Sequence, residues 1–263
     1  EFIRKYVADR HNTDSLKWDG LQEKFGDSDL LPMWIADMEF AMCPAIIDAV
    51  KERLDKRILG YSQVFEQSFY DAYNVWNEKM YGWTYPRRDI CFSLGIIPAL
   101  YKLTDFLLTD NEYAVVNTPA YGYFRNALDY NGKKAIYNKL YKDKEGRWRI
   151  DFESLERDAA DPRAKLLIWC SPHNPTGRIW TEEELKKVAA IVEKYNLWII
   201  SDEIHCDLLR QGWKHIPMAK IMPGYDRLIV CTSASKCFNM AGLMLAEIII
   251  RNRDLKDRWI TYT

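Results

Sequence analysis

Residues 228–250 read LIVCTSASKCFNMAGLMLAEIII, two apolar runs separated by a polar segment that holds one lysine. The first run, Leu228 to Cys231, and the last, Ile248 to Ile250, have the length and β-branched content of buried strands. Lys236 stands between them among small polar residues and a glycine. A lysine there is either a stem lying along the core with its charge in water, or an amine kept from water for chemistry. The other strand ends decide between the two.

Three further runs share the character of these two: Tyr113 to Val116, Leu166 to Cys170 and Leu197 to Ile200. They are apolar throughout instead of alternating, as expected of strands covered on both faces. Helical spacing occurs between and before them. Ile46, Val50 and Leu54 follow Pro44, and Phe69, Tyr73, Trp76 and Met80 recur at steps of four, three and four. TEEELKKVAAIVEKY, residues 181–195, opens with a Thr181/Glu184 capping box. It carries the i,i+4 pairs Glu182/Lys186 and Glu183/Lys187, and it has Leu185, Val188, Ala189 and Val192 as its inner stripe. The pattern predicts an α/β fold, a mainly parallel sheet between helices.

The chain has 263 residues, 48% hydrophobic and 29% charged, with a net charge of −1 and no block of like charge longer than three. This balance argues against nucleic acid or a membrane surface as partner and suits a small-molecule ligand. The six cysteines (Cys43, Cys91, Cys170, Cys206, Cys231, Cys237) are scattered without a C-x-x-C pair, which reads as reduced thiols and a cytoplasmic location. No apolar run reaches the roughly 18 residues of a membrane span. The sequence starts at Glu1 and stops at RWITYT, in what reads as the start of a helix, so a C-terminally truncated chain is expected.

In parallel sheets, ligands gather beyond the carboxyl ends of strands. SPHNPTG (171–177) follows Leu166 to Cys170 and offers Asn174, while SDEIHCDL (201–208) follows Leu197 to Ile200 and offers Asp202 and His205. After Leu228 to Thr232 come Ser233, Ser235 and Lys236. LGIIPAL (94–100) follows the run at Asp89 to Ser93. There Gly95 permits close backbone approach, and Pro98 can start a helix whose free N–H groups face an anion. NTPAYGYF (117–124) places Tyr121 on a loop bounded by Pro119 and Gly122. Taken singly, Asp202 is a turn residue, His205 a rim histidine, Tyr121 a packed aromatic and Lys236 a snorkelling lysine. Together they supply an amine, a carboxylate, an amide, an aromatic face and an anion cup. Pyridoxal 5'-phosphate needs that set: an amine for its aldehyde, an acid to keep its ring nitrogen protonated, a ring on its face and donors for its phosphate.

With S-P-H-N-P-T-G, S-D-E-I-H and S-x-S-K-x-F-N-x-A-G-L in this order, the sequence resembles the fold-type I pyridoxal-phosphate enzymes of aminotransferase class I/II. DRHNTDSLKWD (9–19) and WIADMEF (34–40) resemble the MalY/PatB-type cystathionine β-lyases, or C–S lyases, in particular. The resemblance covers essentially the whole chain. It implies that residues 1–40 contribute to a small domain and residues 41–263 form the cofactor-binding large domain. It makes Lys236 the covalent attachment point and catalytic base, Asp202 the partner of the ring nitrogen and Asn174 the partner of the ring 3-oxygen. His205 takes a place that many aminotransferases give to tyrosine. Tyr121 would stack on the ring, with Gly95, Ile96, Ile97, Ser233 and Ser235 around the phosphate. Tyr61 of LGYSQ would reach a second subunit's phosphate in a homodimer, and Ala36 and Asp37 would border the substrate pocket.

Many aminotransferases carry arginine eight positions after the lysine. Here that position is Met244, in the style of the lyase branch. The family's substrate-carboxylate arginine lies in a C-terminal small domain beyond this sequence. The reaction implied is β-elimination of L-cystathionine or related L-cysteine S-conjugates to pyruvate, ammonia and a thiol. Two alternatives stay open: an aminotransferase on the same cofactor site, and regulation through a bound transcriptional activator, as some members of the lyase branch do. No G-x-G-x-x-G follows a strand and no G-x-x-x-x-G-K-[ST] occurs, which argues against dinucleotide and nucleoside-triphosphate sites.

Overall fold

A computed structural model describes residues 1–262. They form two compact units. One comprises Glu1–Phe65 together with Ala234–Leu243; the other comprises Glu66–Ser233 and the residues from Met244 on.

The first unit has three helices, α1 (Phe2–Tyr6), α2 (Leu21–Phe25) and α3 (Pro44–Asp55). The α2 helix stops at Gly26, whose φ of 76° is the left-handed conformation that glycine adopts without steric cost. Pro44 begins α3 at a position where a missing N–H costs nothing. The spacing of Ile46, Val50 and Leu54 does mark a helix, but none of its residues is buried.

The second unit is the α/β body. Its helices are α4 (Gln67–Tyr81), α5 (Ile96–Leu107), α6 (Gly122–Tyr130), α7 (Phe152–Ala159), α8 (Glu182–Lys194), α9 (Met218–Ile221) and α10 (Arg253–Thr261). Its strands are β1 (Ile90–Ser93), β2 (Tyr113–Thr118), β3 (Lys134–Lys139), β4 (Tyr141–Lys142), β5 (Trp148–Arg149), β6 (Ala164–Cys170), β7 (Trp198–Asp202), β8 (Leu228–Thr232) and β9 (Ala246–Ile250). Seven strands make one sheet in the order β1-β9-β8-β7-β6-β2-β3, while β4 and β5 pair separately. Neighbours from β8 to β3 are parallel; β9 is antiparallel to both β8 and β1. The carboxyl ends of β1, β2, β6, β7 and β8 therefore lie along one edge of the sheet.

Both faces of the sheet are covered, which explains why its strands read as unbroken apolar runs. On one face, Val116, Ile168, Ile200, Ile229 and Ile248 pack with Leu100 and Leu103 of α5, Phe124 of α6 and Trp259 of α10. The alternate strand residues Val115, Leu167, Ile199, Val230 and Ile249 are buried as well, as is the stripe Leu185, Val188, Ala189 and Val192 of α8. Each such aliphatic side chain contributes roughly 1.5–3 kcal/mol on leaving water. The capping box of α8 forms in both directions: Glu184 N–H donates to Thr181 Oγ1 at 3.2 Å, and Thr181 N–H to Glu184 Oε2 at 2.8 Å. Of the two expected helix pairs, Lys186 meets Glu182 at 2.6 Å. Lys187 instead lies over the Phe152 ring at 5.1 Å. Thr181→Ala is expected to lower stability by about 1 kcal/mol in urea unfolding; a change below a few tenths would contradict a role for this cap.

The α4 helix corrects an expectation. Its buried positions are Tyr70, Asn77 and Tyr81, whereas Met80 of the expected stripe is exposed. The inner face is set by polar tips with partners. The Tyr73 hydroxyl is 2.7 Å from Thr232 Oγ1, Trp76 Nε1 donates to Asp207 Oδ1 at 2.9 Å, and the Tyr81 hydroxyl donates to the same carboxylate. Aromatic residues that carry a donor can be buried where methionine, lacking one, gains nothing from the carboxylate.

Candidate active site

The strand ends at the carboxyl edge of the α/β body carry Gly95–Ile97, Tyr121, Asn174, Asp202, His205 and Ser233 of the expected residues. After β1 the chain turns at Gly95 (φ 131°, ψ 169°), a backbone conformation that residues with a Cβ rarely adopt, and enters α5 at Ile96. No side chain caps this 12-residue helix. Pro98 in its first turn has no N–H to satisfy, and the amides of Ile96 and Ile97 stand at the positive end of the helix dipole. The site suits an anion.

Asp202 is the last residue of β7 rather than the first of the following loop, and it is 4% exposed. Strand register sets Cys170 and Cys231 on either side of it. Its Oδ1 accepts from Ile204 N–H at 3.1 Å. Burial first, and the Asp202 charge second, push both neighbouring thiols well above their usual range. The Tyr121 hydroxyl is pushed up to about 12, by burial first, then by Tyr123 and Asp202. One carboxylate thus acts on groups from β6, β8 and the loop after β2.

Tyr121 precedes α6, with its ring edge-on to Phe124 at 5.9 Å and tilted against Tyr123 at 5.3 Å. Asn174 lies in the loop after β6 and is partly exposed, with its N–H directed to Cys170 Sγ at 3.4 Å. The same loop is braced by His173 Nδ1 on Thr176 Oγ1 at 2.7 Å and by Trp180 Nε1 donating to Cys170 O at 2.9 Å. His205 follows β7 and is half-buried. The Ser233 hydroxyl donates to Leu245 O at 2.7 Å, so its single proton must turn away from that carbonyl to hold an anion.

The remaining expected residues belong to the other unit. Lys236 is half-buried, and its Nζ donates to Ala36 O at 3.2 Å. Asp37 is engaged by cations rather than open: Arg10 donates to its Oδ2 at 3.0 Å, and Lys17 Nζ stands 3.6 Å from its Oδ1. Ser235 accepts Met240 N–H through its carbonyl at 3.0 Å, and Tyr61 is fully exposed.

Two features of the structure escaped the reading of the sequence. Glu247, in the middle of an apolar run, is buried on β9 opposite Thr232. Arg10 and Lys17 turn inward onto residues 37–39. Among the described residues no His, Cys, Asp and Glu cluster is suited to a metal ion, no disulfide joins two cysteines, and no helix is long and apolar enough to cross a membrane.

Comparison with known proteins agrees with this geometry. The aminotransferase class I and II family profile matches residues 29–260. Cystathionine beta-lyase PatB of Bacillus subtilis is 40% identical over 246 residues, 93% of this chain and 63% of that protein. Protein MalY of Escherichia coli is 34% identical over 255 residues, 97% of this chain and 65% of that protein. The chain therefore spans just under two thirds of the length of these relatives. The PLP-bound C-S lyase from Staphylococcus hominis superposes with a TM-score of 0.93 at 39% identity, over 99% of this chain and 66% of that one. Cystalysin from Treponema denticola, which contains pyridoxal 5'-phosphate, gives a TM-score of 0.90 at 33% identity, covering 96% of this chain and 64% of its own. Fold, strand-end chemistry and sequence agree that this chain belongs to the aminotransferase class I and II family.

Proposed function

We propose that the protein is a pyridoxal-phosphate-dependent C–S lyase acting on L-cystathionine or related L-cysteine S-conjugates. The observation that carries this reading is the set of strand ends on one sheet edge: an uncapped helix start after a left-handed glycine, a buried carboxylate and an aromatic ring. These residues fit the cofactor. Asp202 would face its ring nitrogen and Tyr121 its ring, Asn174 and His205 its edge. The Gly95–Ile97 amides with Ser233 and Ser235 would hold its phosphate, and Lys236 its aldehyde. When bound, the cofactor supplies the electron sink that lets a Cα–H bond ionise.

The chain's own residues do the rest. Lys236 takes the proton from Cα, a general-base contribution of about 10² to 10⁴-fold. Asp202, kept from water, would accept from the ring N–H and so keep that nitrogen protonated, and Ala36 and Asp37 would border the substrate. Overall, an S-conjugate and one water become a thiol, pyruvate and ammonium. Transamination of the same substrates is the second reading, but the position eight residues after Lys236 carries Met244 and not the arginine of many aminotransferases. We also propose a homodimer in which the exposed Tyr61 reaches the second copy, and a cytoplasmic location in keeping with cysteines that form no disulfide among the described residues.

The test supplies cystathionine to the full-length protein and measures pyruvate and free thiol. They are expected in equal amounts. Neither product, with good conversion of a 2-oxo acid acceptor instead, would refute the lyase reading in favour of transamination.

A further inference from the structure

The stretch DRHNTDSLKWD has no role in the chemistry above, and its charges look like a solvated face. In the unit formed by Glu1–Phe65 and Ala234–Leu243, two of its cations are withdrawn from water: Lys17 is 7% exposed and the Arg10 side chain 22%. Both close on one short segment. Arg10 donates to Asp37 Oδ2 at 3.0 Å and to Met38 O at 2.7 Å. Lys17 Nζ donates to Asp37 O at 3.0 Å and to the Glu39 carboxylate, whose other oxygen takes Trp18 Nε1 at 2.8 Å. The Asp19 carboxylate accepts N–H groups of Asn12, Thr13 and Ser15 at 2.9, 3.0 and 3.0 Å, which folds the loop between the two cations back on itself.

From the lysine side, Asn239 completes the grip. Its Oδ1 accepts Met38 N–H at 3.0 Å, and its Nδ2 donates to Met38 O at 3.3 Å and Phe40 O at 3.0 Å. Asp37 is thus fixed at its carbonyl and its side chain, and Met38 at both its N–H and its carbonyl. These contacts hold the peptide group that follows the one joining Ala36 to Asp37, together with the Asp37 side chain, and the Ala36 oxygen accepts Lys236 Nζ at 3.2 Å. A charged ammonium on a fixed carbonyl is a strong, directional contact.

We propose that Arg10 and Lys17 are positioning residues for Lys236: by locking the Asp37 peptide they make the Ala36 carbonyl a fixed dock that aims the lysine amine. This rests on the reading of Lys236 as the amine that captures the cofactor. In that step the ammonium first gives up a proton to solvent, the neutral nitrogen adds to the aldehyde carbon, a C=N bond forms and the aldehyde oxygen leaves as water with the two hydrogens of the amine. An amine misplaced by about 1 Å costs up to about 10²-fold in rate.

The experiment uses the full-length protein stripped of cofactor, with Arg10→Gln, Lys17→Met and the milder Arg10→Lys, which keeps the charge but not the two-pronged reach to Asp37 and Met38. Covalent capture of pyridoxal 5'-phosphate is timed by borohydride quenching and mass mapping of the Lys236 peptide. Equilibrium affinity is measured separately with 4'-deoxypyridoxine 5'-phosphate, which lacks the aldehyde. Capture is expected to slow about 10- to 100-fold in the first two variants and less in Arg10→Lys, with affinity for the deoxy analogue unchanged. Capture at the unaltered rate in folded variants, or an equal loss in both measurements, would overturn the positioning role. Should Arg10→Gln and Lys17→Met fail to fold, Arg10→Lys decides by the same two measurements. No adduct on Lys236 in the unaltered protein would overturn the cofactor reading itself, and this proposal with it.

Discussion

Alanine at position 236 is expected to lower release of pyruvate and thiol from cystathionine by at least about 10⁴-fold, while the protein stays folded. The general-base contribution alone reaches about 10⁴ in favourable cases, and loss of the covalent attachment point adds to it. Folding should be spared because Lys236 is only half-buried, whereas the neighbouring grip on Met38 and Phe40 belongs to Asn239. Product formation and circular dichroism on Lys236→Ala check both halves. Residual activity within tenfold of the unaltered protein would place the essential amine elsewhere.

The second large effect is on stability. Glu247 lies on β9 between Phe92 of β1 and Thr232 of β8 and is 5% exposed. Burial pushes its carboxyl up to about 7, against the opposing pull of its own backbone N–H and of Thr232. The Tyr73 hydroxyl, itself pushed well up by burial and next by Glu247, shares Thr232 Oγ1 and also feels Cys206 and Glu203. Because the folded carboxyl binds its proton more tightly than the unfolded one at 4.5, the folded state holds the extra proton between those values. Stability therefore falls as pH rises through about 4.5 to 7, by about 3 kcal/mol in all. Glu247→Gln keeps a hydrogen-bonding group without the titration. Its unfolding free energy from urea titration should match the unaltered protein near pH 4.5 and exceed it by about 3 kcal/mol at pH 8. Parallel pH profiles for the two proteins would remove Glu247 as the cause.

The same residue shows where reading the sequence stops. Strands buried on both faces announce themselves as apolar runs, so the sheet and its carboxyl-edge residues were legible from Tyr113, Leu166, Leu197 and Leu228 onward. Such a run carries no sign of direction, and β9 is antiparallel. The link between β8 and β9, residues 233–245, is long enough for a parallel crossover but carries no α-helix, and that was the available clue, since such crossovers are usually helical. Glu247 was absorbed into its run because one carboxylate among isoleucines has no periodicity to report. Edge strand β3, with Lys134 and Lys139 at its ends, lacks the apolar run that marked its neighbours. The Thr181 box was legible down to its atoms, because a cap is a local contract between residues three apart. Arg10 and Lys17 were not: each finds its partner more than 19 positions away, and only the folded chain brings them together.

The clamp on residues 36–40 is made by a decapeptide two hundred positions later, with Lys236 reaching Ala36 and Asn239 reaching Met38. A ribosome adding about 5 to 20 residues per second produces the first half of that clamp on the order of 10 to 40 seconds before the second. Until then residues 1–65 wait without that fastening, so this unit closes only after residue 243 has been made.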